Sequence, residues 1–422
     1  MTRQPRITPS QVDVATAERL PLKNGIDLYM LPSDDFEVLR ISFVFRAGSA
    51  AQQVPFSASA AANLLAEGSR GMTGAEIAEQ LDYYGSWYDV NLDRDYAYIN
   101  FATLSKFFDR TLAVAEQILL DPTFPEEELR SYCAKRRQRL AIERTKVDVQ
   151  AREAFAKALF GARHPYGISS DEAEYDRLTR DAVVAFHTAH YTAENCVVVC
   201  SGRIGAHERQ AIASLAEHIP QRAAAAPAVF PEPQTTHAVF VEHPGAVQSS
   251  LRIGRLLFPR QHPDFVGMQV VATTLGGYFG SRLMQNLREE HGYTYGAVAA
   301  MVNFERAGYF AVATQVGTDV TREALREIFH EIERLGEEPM SEEELCLVRN
   351  MMIGEMMRVL DGPFSIADVT IENILCGTDN TTIGENIRRI RRITPEEVRQ
   401  LARRYLCREE LVTVVAGAER PW

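Results

Sequence analysis

Within GIDLYMLPSDDFEVLRISFVFRAGS (25–49) two apolar runs flank the turn-forming stretch Pro32–Asp35, which predicts two strands. A helical segment follows from about Ser57 to Ala66. A second, MTGAEIAEQLDYYG, ends at Gly85, a residue suited to the left-handed position just past a helix. WYDVNLDRDYAYINFATL alternates with period two and predicts a hairpin. Helical patterning returns over about Lys106–Leu120 and over Pro125–Gly161, the latter with a proline near its first position and acids in its first turn. The strands come in adjacent pairs rather than in strict strand–helix alternation. That pattern predicts an α+β fold of α/β sandwich domains with mainly antiparallel sheets.

The chain also repeats itself. EEEL occurs at Glu126–Leu129 and again at Glu342–Leu345, an offset of 216. LTRDAVVAFHTAHYTAENCVVVCSG (178–202) aligns with ITPEEVRQLARRYLCREELVTVVAG (393–417) at an offset of 215, with Thr179 over Thr394, Val183 over Val398 and Gly202 over Gly417. Two separate matches at nearly one offset, about half the chain length, predict two homologous domains, residues 1–218 and 237–422. Between them IPQRAAAAPAVFPEPQTT (219–236) has four prolines and little periodicity, the composition of a linker. Ser341 and Glu344 have the spacing of a capping box at the start of the second EEEL helix.

Composition narrows the class. Of 422 residues 46% are hydrophobic and 24% charged, which excludes dominant disorder. The net charge of −12 argues against nucleic acid or an anionic membrane as partner. No apolar run reaches the roughly 18 residues of a spanning helix. MTRQPRITPSQVDVATAERL has no apolar core of a secretory signal. The six cysteines form no CxxC, and Cys196 and Cys200 share one face of a strand-like run, as buried thiols do. A cytoplasmic protein is expected.

Most candidate chemistry has an ordinary reading. His187 and His190 form HxxH on a predicted helix but lack a third ligand nearby, so a structural pair is expected. His330–Glu331 has Arg334 where HExxH needs histidine. GxSxG, a P-loop and a dinucleotide-binding GxGxxG are absent. The basic clusters Lys135–Arg139 and Arg388–Arg392 read as solvated helix faces. TTLGGYFGSRLMQNLREEHGYTYGAVA (273–299) leaves two readings open. It is a glycine-rich turn, a helix stopped at Gly292 and a strand, or it is a junction where Arg288, His291, Tyr293 and Tyr295 gather to bind a peptide carbonyl or oxyanion.

That segment resembles the C-terminal-domain motif of the pitrilysin/insulinase family of zinc metallopeptidases, the inverzincins. The resemblance rests on Leu275-Gly276-Gly277, Ser281–Gln285, Leu287-Arg288-Glu289 and Gly292–Gly296. FRAGSA (45–50), AEGSRGMTGAEIAEQLDYYGSWYDVNLDRDYAYI (66–99) and HPYG (164–167) extend it over nearly the whole chain. It implies two homologous domains in a clamshell around an extended peptide.

The family's HxxEH motif falls, anchored on Gly68, at Ser59–Asn63. Ser59 stands for the first histidine, Ala62 for the glutamate and Asn63 for the second histidine, and residues 51–130 contain no histidine. The third ligand would come from Arg136–Glu143, which offers only Glu143. These residues supply neither imidazole nor general base, so the chain is expected to bind no metal itself. The resemblance implies a zinc-less subunit of a two-chain peptidase. Its partner would be a homologous HxxEH-bearing subunit holding zinc, in a heterodimer. This chain would bind peptide substrate and supply Arg288 and Tyr295, whose seven-residue spacing matches the family's, to the partner's site. Alone it is expected to be inactive, with a homodimer open to it. The competing expectation is an inert peptide-binding or scaffold protein of the same fold. Local spacing adds that Arg288 lies at the edge of the Leu283/Leu287 stripe, that Tyr293 and Tyr295 share one face of the next strand, and that Arg288 and Tyr295 reach one bound peptide.

Overall fold

A computed structural model describes residues 14–222 and 230–422. Residues 1–13 of the N-terminal stretch and 223–229 of the expected linker lie outside the described residues.

Eleven strands form two sheets. The first contains β1 (Glu18–Pro21), β2 (Asp27–Pro32), β3 (Val38–Phe45), β4 (Trp87–Leu92), β5 (Ala97–Leu104) and β6 (Cys196–Gly202), in the order β1-β2-β6-β3-β5-β4. The second contains β7 (Ala238–Glu242), β8 (Gln248–Leu257), β9 (Ala297–Asn303), β10 (Gly308–Gly317) and β11 (Val412–Gly417), in the order β7-β11-β8-β10-β9. From β2 onward the first order is repeated strand for strand by the second. β2 runs parallel to β6 and β7 parallel to β11; every other pairing is antiparallel. The fold is therefore the expected mixed α/β architecture with mainly antiparallel sheets.

The helices repeat as well. Glu126–Glu143 is matched by Glu342–Arg358, and Val147–Phe160 by Pro363–Leu375, both at the offset of the EEEL strings. Arg180–His190 is matched by Pro395–Tyr405 at 215.

The second of these pairs crosses over. Helix Val147–Phe160, from the first half of the chain, packs on β11, β8 and β7 of the second sheet. Its Phe155, Leu159 and Phe160 are buried with Ala311, Val412 and Val414. Helix Pro363–Leu375 packs in turn on β6 and β2, with Ala367 and Ile371 against Leu31, Val44 and Val199. Burying each large apolar side chain contributes about 1.5–3 kcal/mol, so the exchange binds the halves firmly. It also explains why β6 and β11 are continuous apolar runs: both faces of these strands are covered. Polar contacts reinforce it. Arg40 on β3 donates through Nη2 to Asp368 Oδ1 at 2.5 Å and to the Phe364 carbonyl at 3.0 Å. The half-buried Asp95 carboxylate accepts from Tyr166 Oη at 2.5 Å and from the Glu305 amide at 2.8 Å.

Several local expectations hold. Helix Gly74–Tyr83 is capped by Thr73, and Gly85 adopts φ +59° beyond its end. Cys196 and Cys200 are buried, and all six cysteines are free thiols. Others are corrected. The single helix expected over Pro125–Gly161 is broken at Arg144–Lys146. There the Arg144 side chain turns to Glu153, Glu172 and the Ser170 carbonyl, and Lys146 is extended. Pro125 caps the first piece rather than beginning it. The capping box at Ser341 is half made: Ser341 Oγ accepts from the Glu344 amide at 3.1 Å, but the Glu344 carboxylate is held by Arg282.

Candidate functional site

The positions of the lost metal motif lie on the short helix Ser57–Asn63, which packs against Arg180–His190. Phe56 precedes it at φ +65°, held there by stacking on Tyr175 at 3.8 Å. Ser59 Oγ donates back to the Phe56 carbonyl at 3.0 Å. Asn63 Nδ2 donates to the Ser59 carbonyl at 2.7 Å, and Asn63 Oδ1 accepts from Arg136 at 3.5 Å. Ala62 is fully buried. Glu143 is half-buried and paired with Arg139 at 2.9 Å, and that pairing lowers its pKa. The polar atoms of Ser59 and Asn63 are thus engaged, largely with the helix backbone, and no carboxylate or imidazole joins them. These residues do not fit zinc. No group of three or more histidine, cysteine or acidic residues among the described residues is arranged to hold a metal ion. A 320 Å³ cavity lies beside Ser59, lined also by Gln52, Phe56, Arg94, Leu140 and Glu153.

His187 and His190 do lie on one helix, but each is packed against rings. His187 stacks on Tyr191 with centroids 4.7 Å apart, and His190 lies 4.5 Å from Phe186. Burial lowers both pKa values, that of His187 to about 4. Glu331 is buried and paired with Arg334, the residue that replaces the second histidine of HExxH.

The Arg/Tyr segment is built differently from its expectation. Residues Met284–Glu290 form a π-helix, not an α-helix. The His291 amide reaches back to the Asn286 carbonyl at 3.1 Å and the Tyr293 amide to the Leu287 carbonyl at 2.8 Å. Leu283 and Leu287 are fully buried, as expected. Four hydrogen bonds fix the turn. Arg282 meets the Glu344 carboxylate at 2.8 and 3.0 Å, and Asn286 Nδ2 donates to Glu327 and Glu331, both at 3.2 Å.

Gly292 then takes φ +66° and the chain turns. β9 begins only at Ala297, so Tyr293 and Tyr295 precede the strand and do not share its face. Tyr293 is half-buried and stacked on His291 at 4.9 Å. Tyr295 is 92% exposed. Thr294 Oγ1 fixes the loop by accepting from the Gly296 amide at 3.1 Å.

Tyr295 stands at the rim of a 360 Å³ cavity between the N-terminal turn of the crossing helix Val147–Phe160 and the second sheet. Its walls include Asp148, Gln248, Ser250, Arg252, Thr294 and Gln315. Arg288 is outside that lining. Its guanidinium lies 4.4 Å from the Phe279 ring and pairs with Glu289 at 3.5 Å. Tyr295 therefore lines a cavity, while Arg288 is engaged by Phe279 and Glu289 outside that lining. Sequence reading missed Arg252 and Arg282. A charge inside the apolar strand SSLRIGRLL was the available signal for Arg252; the partner of Arg282 lies far along the chain, on another helix, and left none.

Comparison with known proteins points to one family. Residues 177–352 match a family model described as the peptidase M16 inactive domain. The matched segment, under half of the chain, resembles the M16 peptidases. Among curated relatives it is similar to an uncharacterized zinc protease of Streptomyces coelicolor, 22% identical over 84% of this chain and 79% of that one. Another, of Bacillus subtilis, is 21% identical over 83% and 85% of the two chains. Among solved structures it is similar to a peptidase M16 inactive domain from Pseudomonas fluorescens, with a TM-score of 0.87 and 20% identity over 96% of this chain and 99% of that one. A protease from Helicobacter pylori gives 0.82 at 16% identity, covering 95% and 99%. Ser59, Ala62 and Asn63 stand where the resemblance places the HxxEH side chains, and they offer neither imidazole nor carboxylate. No helix among its described residues is long and apolar enough to cross a membrane.

Proposed function

We propose that this chain is the peptide-binding, zinc-less subunit of a two-chain M16 peptidase. In this reading residues 1–218 and 237–422, joined through 219–236, enclose an extended peptide. Tyr295 donates its phenolic proton to a substrate carbonyl, and Arg288 swings from Phe279 to a second acceptor. The reaction itself belongs to a homologous HxxEH-bearing partner. The observation that carries the proposal is the placement of Tyr295. A large aromatic residue, 92% exposed, stands at a cavity mouth on a loop pinned by Thr294 and by a buried ion pair upstream. Exposed aromatic donors on rigid supports suit binding rather than packing. Six free thiols support a cytoplasmic setting.

A second reading, an inert scaffold of the same fold, draws on the engagement of Arg288 by Phe279 and Glu289. Mixing this chain with HxxEH-bearing M16 homologues and following peptide hydrolysis separates the two. The proposal expects a complex by size-exclusion chromatography and turnover that depends on this chain; a complex whose turnover ignores it supports the scaffold.

A further inference from the structure

The two crossing helices differ in charge at the place of Asp368, and an arginine on the second sheet is left without an acid paired to it among the described residues. On the first sheet, Arg40 is met by Asp368 from helix Pro363–Leu375. The residue at the equivalent place in helix Val147–Phe160, under the offset that relates the two helices, is Arg152. The second sheet also carries an arginine on its covered face. Arg252 of β8 lies opposite Val414 of β11, which packs under the crossing helix, and directly opposed residues project to the same face. Arg252, whose place in the strand register corresponds to Ser42 rather than to Arg40, thus has the Arg152 charge near it and no acid paired to it. Its Nε is closed to solvent with no hydrogen-bond partner, and Arg252 forms no ion pair among the described residues. Burial, with the Arg152 charge, lowers the Arg252 pKa; Tyr309 and Asp148, the acid on the cavity wall, act against that shift without forming an ion pair with Arg252. A guanidinium left so is costly unless an anion completes it.

We infer that Arg252, on the wall of the cavity rimmed by Tyr295, is a carboxylate-binding subsite to whose positive potential Arg152 adds, taking an acidic side chain or the terminal carboxylate of the bound peptide. The inference rests on the peptide-binding role proposed above and adds a substrate class to it. The guanidinium fork matches a carboxylate in two-point contact, as Arg40 meets the Asp368 carboxylate on the other sheet.

Fluorescence anisotropy on the full-length chain alone tests it, with labelled peptides of one sequence. They carry a central Glu or Gln, and a free or amidated C-terminus. At least one carboxylate is expected to tighten binding about tenfold at low salt, less at high salt, and the responding arm identifies its source. Arg152→Asp, which replaces the cation near Arg252 with an acid, is expected to abolish the preference and raise thermal stability. Arg252→Met is expected to abolish it without raising affinity for the neutral peptide. Equal binding of all peptides, or a preference that survives both substitutions, overturns the subsite while leaving peptide binding intact. Failure of every peptide to bind overturns the peptide-binding role as well.

Discussion

Arg282 and Glu344 meet in a two-point ion pair, 2.8 and 3.0 Å, that ties the start of the π-helix to helix Glu342–Arg358. The Arg282 side chain is 7% exposed and that of Glu344 27%. The pair upholds the segment that carries Arg288 and Tyr295 although neither member approaches the cavity.

Removing one partner strands a charge. Arg282→Met is expected to lower unfolding free energy by about 3 kcal/mol, read as a urea midpoint. Ser341→Ala, which deletes only the cap of the same helix, is expected to cost about 1 kcal/mol. A double-mutant cycle of Arg282→Met with Glu344→Gln should give a coupling of about 1–3 kcal/mol, and additivity of the two substitutions would contradict the pairing.

The duplication was legible because it is written in local signals. The EEEL starts, the threonines at 179 and 394 and the closing glycines mark equivalent element ends, and the helices do begin at the offsets those signals set. What was illegible depends on distant partners. Nothing local says that Arg144 will interrupt a helix by reaching Glu172, or that Val147–Phe160 will cover the sheet of the other half. Leu283 and Leu287, four apart, suit both an α-helix and the wider turn observed. Around the candidate site, the helix stop at Gly292 was legible in the sequence, while the wider turn of Met284–Glu290 and the contact of Arg288 with Phe279 were not.

The pH dependence of stability should carry the mark of His187. Its ring is packed between Tyr191 and Phe124, and its Nε2 is shut off from solvent without a partner. Burial, aided by the Arg222 charge, lowers its pKa from 6.5 to about 4. The unfolded chain takes up this proton first on acidification. The contribution is therefore intact above about pH 6.5 and lost as pH falls toward 4, by up to about 3 kcal/mol. His187→Phe is expected to flatten the fall of the urea midpoint between pH 6.5 and 4.5. A slope unchanged by the substitution would place the titration elsewhere.

Metal content follows from the helix Ser57–Asn63. Elemental analysis of tag-free protein is expected to find well below one zinc per chain; one equivalent lost on Glu143→Gln would contradict the geometry. Restoring Ser59→His, Ala62→Glu and Asn63→His together is expected to destabilise the protein rather than create a site. Ala62 is fully buried, so a glutamate there places a carboxylate in apolar surroundings.

The central claim is that Tyr295 serves a peptide bound between this chain and a partner. It is tested most directly by the turnover of the reconstituted pair with Tyr295→Phe in this chain. Tyr295 is exposed and supports no packing, so the variant should fold and assemble as the parent does. Loss of a carbonyl or oxyanion donor costs about 3–4 kcal/mol, and turnover is expected to fall roughly 10²- to 10³-fold. A pair that retains full turnover with Tyr295→Phe would contradict the account and leave the chain a scaffold.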